Sequence, residues 1–280
     1  MKGRGRMPSN LSDELTRAEG MLVAGLDEDA RELLSRLAED AQEYIDRNCP
    51  TTDTLQWFSF PTIFERLCYR RVESDPREIR DVGEPLDRLY ADLALACVRT
   101  LDYDAAREAL KLAVRWNPME CAYRLDLSDL FMVEGGVREA LGLAFSVFER
   151  ASDAHHLVRA YLTFHRWFAQ SGEARAAAAV LYAAKRLAVR DQALEAALDQ
   201  AEGTDYDPAK LDGDEADTIL AEQGIPEGAN AEVAVCLLMC ATDAAQAGDR
   251  VLATELTLRA RDLVGEQAAM ALVALIRDES

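Results

Sequence analysis

Between residues 87 and 154 apolar residues recur at spacings of three and four, and the same set of positions returns 34 residues later. Tyr90, Leu93, Ala94 and Cys97, then Ala106 and Leu110, are answered by Arg124, Leu127, Ser128 and Phe131, then Ala140 and Ala144. This spacing predicts amphipathic helices that each bury one stripe. Two helices approach closely where one offers small residues, and Ala94 and Ala106 are the small members here. Asn117-Pro118 then ends a helix, because proline has no amide hydrogen and pushes the residue before it toward extended geometry. A fixed period of this length predicts stacked helical hairpins.

Two further stretches repeat the 16-residue step from bulky residue to small residue, Tyr161 to Ala177 and Leu237 to Ala253. Phe164, Phe168 and Leu181 lie in register with the first, with a turn at Ser171-Gly172. Cys240, Ala241, Ala244 and Thr257 lie in register with the second, with a turn at Gly248-Asp249. A fainter copy opens the chain at Ala18, Met21, Gly25, Ala30 and Leu34, with Glu14 at the bulky position. His165 stands where a small residue belongs and predicts a splayed hairpin, and the second unit ends at Ser152-Asp153 without a proline.

The helix-pair pattern resembles the tetratricopeptide repeat family, well over about half of the 280 residues and faintly elsewhere. The resemblance implies an all-α fold, an α-α superhelix or right-handed solenoid of helical hairpins, here partly degenerate. The expected organisation is a disordered basic N-terminus at 1–10 and an N-terminal helical region with a degenerate repeat at 11–86. A repeat array follows at 87–202, then an acidic loop and short helix at 203–230, and a hairpin with a capping helix at 231–280.

Composition fits a helical chain, with 49% hydrophobic residues, 8 prolines and 15 glycines, and little strand signal. No segment reaches the roughly 18 apolar residues that span a bilayer, and the basic start is not followed by an apolar run, so a cytoplasmic location is expected. The net charge of −20 divides as −6, −2 and −12 over 1–100, 101–200 and 201–280. Such a chain repels a phosphate backbone, which excludes nucleic acid as the expected partner.

Candidate chemistry is sparse. Cys236 and Cys240 lie one turn apart without a second ligand pair, and the six scattered cysteines read as reduced core residues. His155, His156 and His165 fall in one predicted helix with no carboxylate fixed beside them by spacing. Asp205, Asp207, Asp212 and Asp214 are oxygen donors, but Pro208, Ala209 and Lys210 interrupt the alternation that a calcium loop needs. No phosphate-loop, dinucleotide or nucleophile-elbow motif occurs. No cofactor, no metal and no enzymatic activity are expected.

Family register implies a peptide-binding groove along the first helix of each pair. It places there Arg88, Ala91, Leu95 and Val98, then Ala122, Leu125, Asp129 and Met132, then Arg159, Leu162 and Arg166, and from the last pair Leu238 and Thr242. Ala91 and Leu95 replace residues with which some family members grip a terminal carboxylate, so that clamp is absent. The expected function is a non-catalytic protein-protein interaction scaffold or adaptor holding a peptide or helix of a protein partner. The alternatives are a regulatory peptide sensor and an enzyme subunit with a cryptic site. The groove is either open or filled by 54–71 or 267–276. The run Ala268 to Ile276 is apolar throughout, and residues 267–280 are expected to form a weak homodimer contact.

Overall fold

In a computed structural model, which describes residues 11–187 and 189–278, fourteen α-helices and a single two-stranded sheet are found among those residues. The fold is 73% helical, which makes the chain all-α as its periodicity predicts. The expected disordered segment 1–10 lies outside the described residues. Two compact units divide between Leu130 and Phe131, inside the expected 87–202 array and not at one of its ends.

The first unit opens with α1 (Leu11–Val23) and α2 (Asp27–Asn48). Leu11, Leu15, Ala18 and Leu22 fall at helical spacing and form the buried stripe of α1, against Ala30, Leu33, Leu34, Leu37 and Ala41 of α2. Each fully buried leucine contributes roughly 2 kcal/mol. Glu14 is half-buried, and its neighbour Leu15 is the residue in the core. A hairpin at the N-terminus is therefore present, shifted by one residue at its bulky position.

The N-terminal helical region expected at 11–86 also contains a β-α-β unit, which its helical periodicity does not foretell. This unit comprises β1 (Leu55–Phe58), α3 (Ile63–Val72) and β2 (Glu78–Asp81), with the strands parallel and Leu55 opposite Glu78. Thr62 and Glu65 form a capping box that starts α3. Phe58 stacks on Phe60 at 4.9 Å and Tyr69 leans against both, at 4.6 and 5.8 Å, which gives this unit its own small core. Residues 54–71, one of the two segments that could have filled the groove, go into this unit instead. β1 is fixed to the rest of the first unit by Ser59 N, which donates to Trp116 O at 2.9 Å, and by Arg115, which donates to Trp57 O at 2.8 Å.

Next come α4 (Leu86–Arg99) and α5 (Tyr103–Trp116), whose ends match the repeat pattern and its Asn117-Pro118 stop. Tyr90, Ala94, Cys97, Ala106 and Leu110 are all buried, as the stripe predicts. Leu86, Leu89 and Tyr90 share one core with α1 and α2. Three arginine-carboxylate pairs latch the two hairpins together at their margins: Arg88 with Glu19, Arg99 with Asp27 and Arg31 with Asp102. The helix α6 (Cys121–Val133) contains the point of division.

The second unit holds α7 (Val137–Phe148), α8 (Ala154–Gln170), α9 (Ala174–Arg186), α10 (Gln192–Ala201), α11 (Gly213–Gln223), α12 (Ala231–Gln246), α13 (Arg250–Val264) and α14 (Glu266–Asp278). Phe148 meets Tyr161 at 4.8 Å and Phe164 at 6.2 Å, which joins α7 to α8. His165 lies against α9 and its Nδ1 is 3.0 Å from Ala177 O. Small residues on α9, Ala176 to Ala179 with Ala183 and Ala184, are buried and make room that His165 does not. In α13 the expected Ala253 and Thr257 are half-buried and exposed, and Leu256, Ala260 and Leu263 carry the buried stripe. The last helix turns Ala269 inward with Leu272, Val273 and Ile276 half-buried, leaving Met270 68% exposed.

One turn recurs six times among the described residues. After α1, α4, α6, α8, α11 and α12 a residue with positive φ closes the helix, namely Gly25, Leu101, Gly135, Gly172, Gly224 and Gly248. Each donates its N–H to the carbonyl three residues back, and the following residue donates to the carbonyl five residues back. This paired closure satisfies carbonyls that would otherwise be orphaned at a helix end. An alanine stands five residues after each, at Ala30, Ala106, Ala140, Ala177, Ala229 and Ala253, and all but Ala229 lie in the helix that follows. Five of the six closures thus turn the chain directly into the second helix of a hairpin.

Candidate binding surface

The face of α4 that carries Arg88, Ala91, Leu95 and Val98 is built by helical spacing and trimmed by the N-terminal hairpin. Arg88 is half-buried, with Nε 2.7 Å from Glu19 Oε1 and its second nitrogen at 2.6 Å. Ala91 is half-buried at the edge of the core shared with α1 and α2. Leu95 is 43% exposed and Val98 half-buried. Ala122 and Asp129 on α6 are half-buried as well.

Three of the predicted groove leucines are corrected. Leu125 is 1% exposed, Leu162 is 9% exposed and Leu238 is 1% exposed, so all three are core residues. Helical register fixes the angular position of a side chain but not what packs over it. The remaining members, Met132, Arg159 and Arg166, lie in the second unit, with Met132 and Arg159 half-buried and Arg166 exposed. Arg166 donates to Leu162 O and Thr163 Oγ1, both at 3.3 Å. Thr242 donates back to Leu238 O at 2.9 Å within its own helix.

Below the α4 face lies a polar cluster that the pattern alone does not announce. Asp87 is buried, and its Oδ2 accepts from Asn117 Nδ2 at 3.2 Å and from Tyr123 OH at 3.3 Å. Ser59 Oγ lies 3.0 Å from Asp87 Oδ1 and 2.7 Å from Glu84 O, and accepts from Leu86 N at 3.0 Å. Burial, with the Asp87 charge next in size, raises the Tyr123 phenol well above its usual range. Asn117 reads in sequence only as a helix stop. Its amide reaching Asp87 depends on the fold.

Elsewhere polar residues are spent on local structure. Asp207 accepts from Gly203 N and Ala209 N at 2.8 Å, and Asp212 accepts from Glu215 N at 2.8 Å, so both act as caps. His155 sits between Asp153 Oδ1 at 3.0 Å and Arg190 O at 3.2 Å. The six cysteines form no disulfide, and five are buried. Among the described residues no cluster of three or more metal-ligating side chains occurs, and no helix is long and apolar enough to cross a membrane.

No protein-family model matches the chain, and no curated protein matches it.

Proposed function

We propose that this chain is a non-catalytic interaction scaffold of the tetratricopeptide-like helical repeat kind, acting in the cytoplasm on a protein partner. Its binding strip is the α4 face, where Ala91, Leu95 and Val98 follow one another at helical spacing with Arg88 at the end. The observation that carries this reading is Leu95: it is 43% exposed on a helix whose other stripe is fully engaged in the core. An apolar strip on a rigid helix suits an amphipathic helix or an extended apolar peptide. Five hairpins that share one closure, followed directly by a helix with an alanine five residues on, support the repeat assignment. The net charge of −20 supports a protein partner over nucleic acid.

A photo-crosslinking amino acid placed at Leu95 in the full chain tests the strip directly. Partner adducts are expected at Leu95 and not at the exposed control position Leu112 on α5. Leu95→Glu is expected to abolish capture while leaving helical content unchanged. Full retention of capture by Leu95→Glu would overturn the assignment.

A further inference from the structure

Oδ2 of Asp92 is the one buried side-chain polar atom without a hydrogen-bond partner among the described residues. Asp92 lies in the middle of α4, one turn after Arg88. The charged groups acting on it are Glu19 from α1 and Asp87 and Arg88 from its own helix. From α6, Tyr123 feels the Asp92 charge, along with that of Glu120 just before the helix. Arg88 is the single cation of this group, and its guanidinium is drawn to Glu19 at 2.6 Å. The neutral donors nearby, Ser59, Asn117 and Tyr123, are engaged by Asp87. Glu19 takes the Arg88 guanidinium, Asp87 takes the neutral donors, and the buried oxygen of Asp92 is left without a donor.

We propose that Asp92 is a proton-operated switch of the first unit, which seats α4 against α1 while its carboxyl is neutral and loosens that contact when the proton leaves. The physical reason is desolvation: Asp92 is half-buried with Oδ2 cut off from solvent and unpaired, and such a group bears a negative charge less readily than the neutral carboxylic acid. Burial, then the Glu19 charge, push the Asp92 carboxyl up to about 7, with Arg88 opposing and Asp87 adding to the rise. The folded value thus lies above the value of an open, hydrated aspartate. Opening releases a proton, so the contribution of this group to stability is full at low pH and is lost as pH rises toward the folded value. The switch acts at the pairing of the N-terminal hairpin with α4, beside the Leu95 strip and independently of whether that strip binds a peptide.

Carbon-13 titration of the Asp92 carboxyl in the full chain, with amide exchange of α1 measured at two pH values, tests the proposal. The carboxyl is expected to titrate near neutrality, away from the ordinary aspartate range. After correction for intrinsic exchange, opening of α1 is expected to increase up to about tenfold between roughly pH 6 and pH 8. Asp92→Asn is expected to remove that increase. All three histidines lie in the second unit, so a response local to α1 is not theirs. A carboxyl midpoint below about pH 5, in the ordinary range, or an unchanged α1 response in Asp92→Asn, would overturn the switch. Should Asp92→Asn not fold, coincidence of the carboxyl midpoint with the α1 exchange midpoint in the native chain supports it, and separation of the two overturns it.

Discussion

Asn117 Nδ2 donates to Asp87 Oδ2 across 3.2 Å, joining the residue that ends α5 to the first turn of α4. Asn117 Oδ1 meanwhile accepts from Met119 N at 3.2 Å, so a single buried amide both closes one helix and pins the start of its partner. The stop signal of the repeat is therefore also a tertiary contact, and Ser59 brings the β-α-β unit to the same carboxylate.

Removing Asp87 strands two donors. Asp87→Ala leaves Asn117 and Tyr123 each short of an acceptor, while Ser59 keeps Glu84 O at 2.7 Å, and every such orphan costs about 1–3 kcal/mol. The expected loss is about 3 kcal/mol, read by urea unfolding of the first unit through Trp57 and Trp116 fluorescence. An Asp87→Ala chain within about 0.5 kcal/mol of the native one, the range of an ordinary surface change, would show that the cluster is not a structural tie.

Leu101 adopts φ 61° at the turn where the four other hairpins use glycine, and it is 72% exposed. A side chain with a Cβ pays roughly 1 kcal/mol in this region, and an exposed leucine gives little back through packing. Leu101→Gly is therefore expected to stabilise the chain by about 1 kcal/mol, seen as a higher midpoint in thermal unfolding. Destabilisation would mean that Leu101 makes contacts its exposure conceals.

Leu95 and Leu125 are both assigned by register to the groove face of their first helices and differ in burial, 43% against 1% exposed. Leu95→Glu is expected to change stability by less than about 0.5 kcal/mol, whereas Leu125→Glu buries an unpaired charge and costs more than about 3 kcal/mol. Denaturation midpoints of the two variants measure the contrast directly, and similar midpoints would contradict it.

His165 gives the second unit the opposite pH response to that of Asp92. Burial, ahead of the neighbouring Arg166 charge and against the hydrogen bond to Ala177 O, lowers its folded value below that of a hydrated imidazole. The unfolded chain binds the proton first, so stability is full above about pH 6.5, the unperturbed histidine value, and falls on acidification below it. His165→Gln is expected to lessen the loss of stability between roughly pH 7 and pH 5, measured by thermal unfolding with Trp167 fluorescence. An unchanged pH profile would refute this.

Local periodicity made the helices legible, because apolar spacing of three and four constrains a helix without reference to the rest of the chain. Tyr90, Ala94, Cys97, Ala106 and Leu110 are buried as their spacing requires, and α5 stops before Asn117-Pro118. Leu55–Phe58 and Glu78–Asp81 were not legible as strands. Four residues carry too little alternation, and each becomes a strand through hydrogen bonds to a partner more than twenty residues away. The candidate surface was legible in part, since Leu95 is exposed where register puts it, while Leu125, Leu162 and Leu238 are covered.

The sequence by itself determined the all-α class and the helix pairs with their small residues at Ala94, Ala106, Ala140 and Ala177, since these rest on interactions within about one repeat. Only the tertiary structure decided which register-equivalent side chains remain accessible, that Asn117 would meet Asp87, and that Asp92 would be left with an unpaired oxygen. The reason is physical: burial and desolvation depend on what other segments bring to a position, and helical spacing carries no record of them.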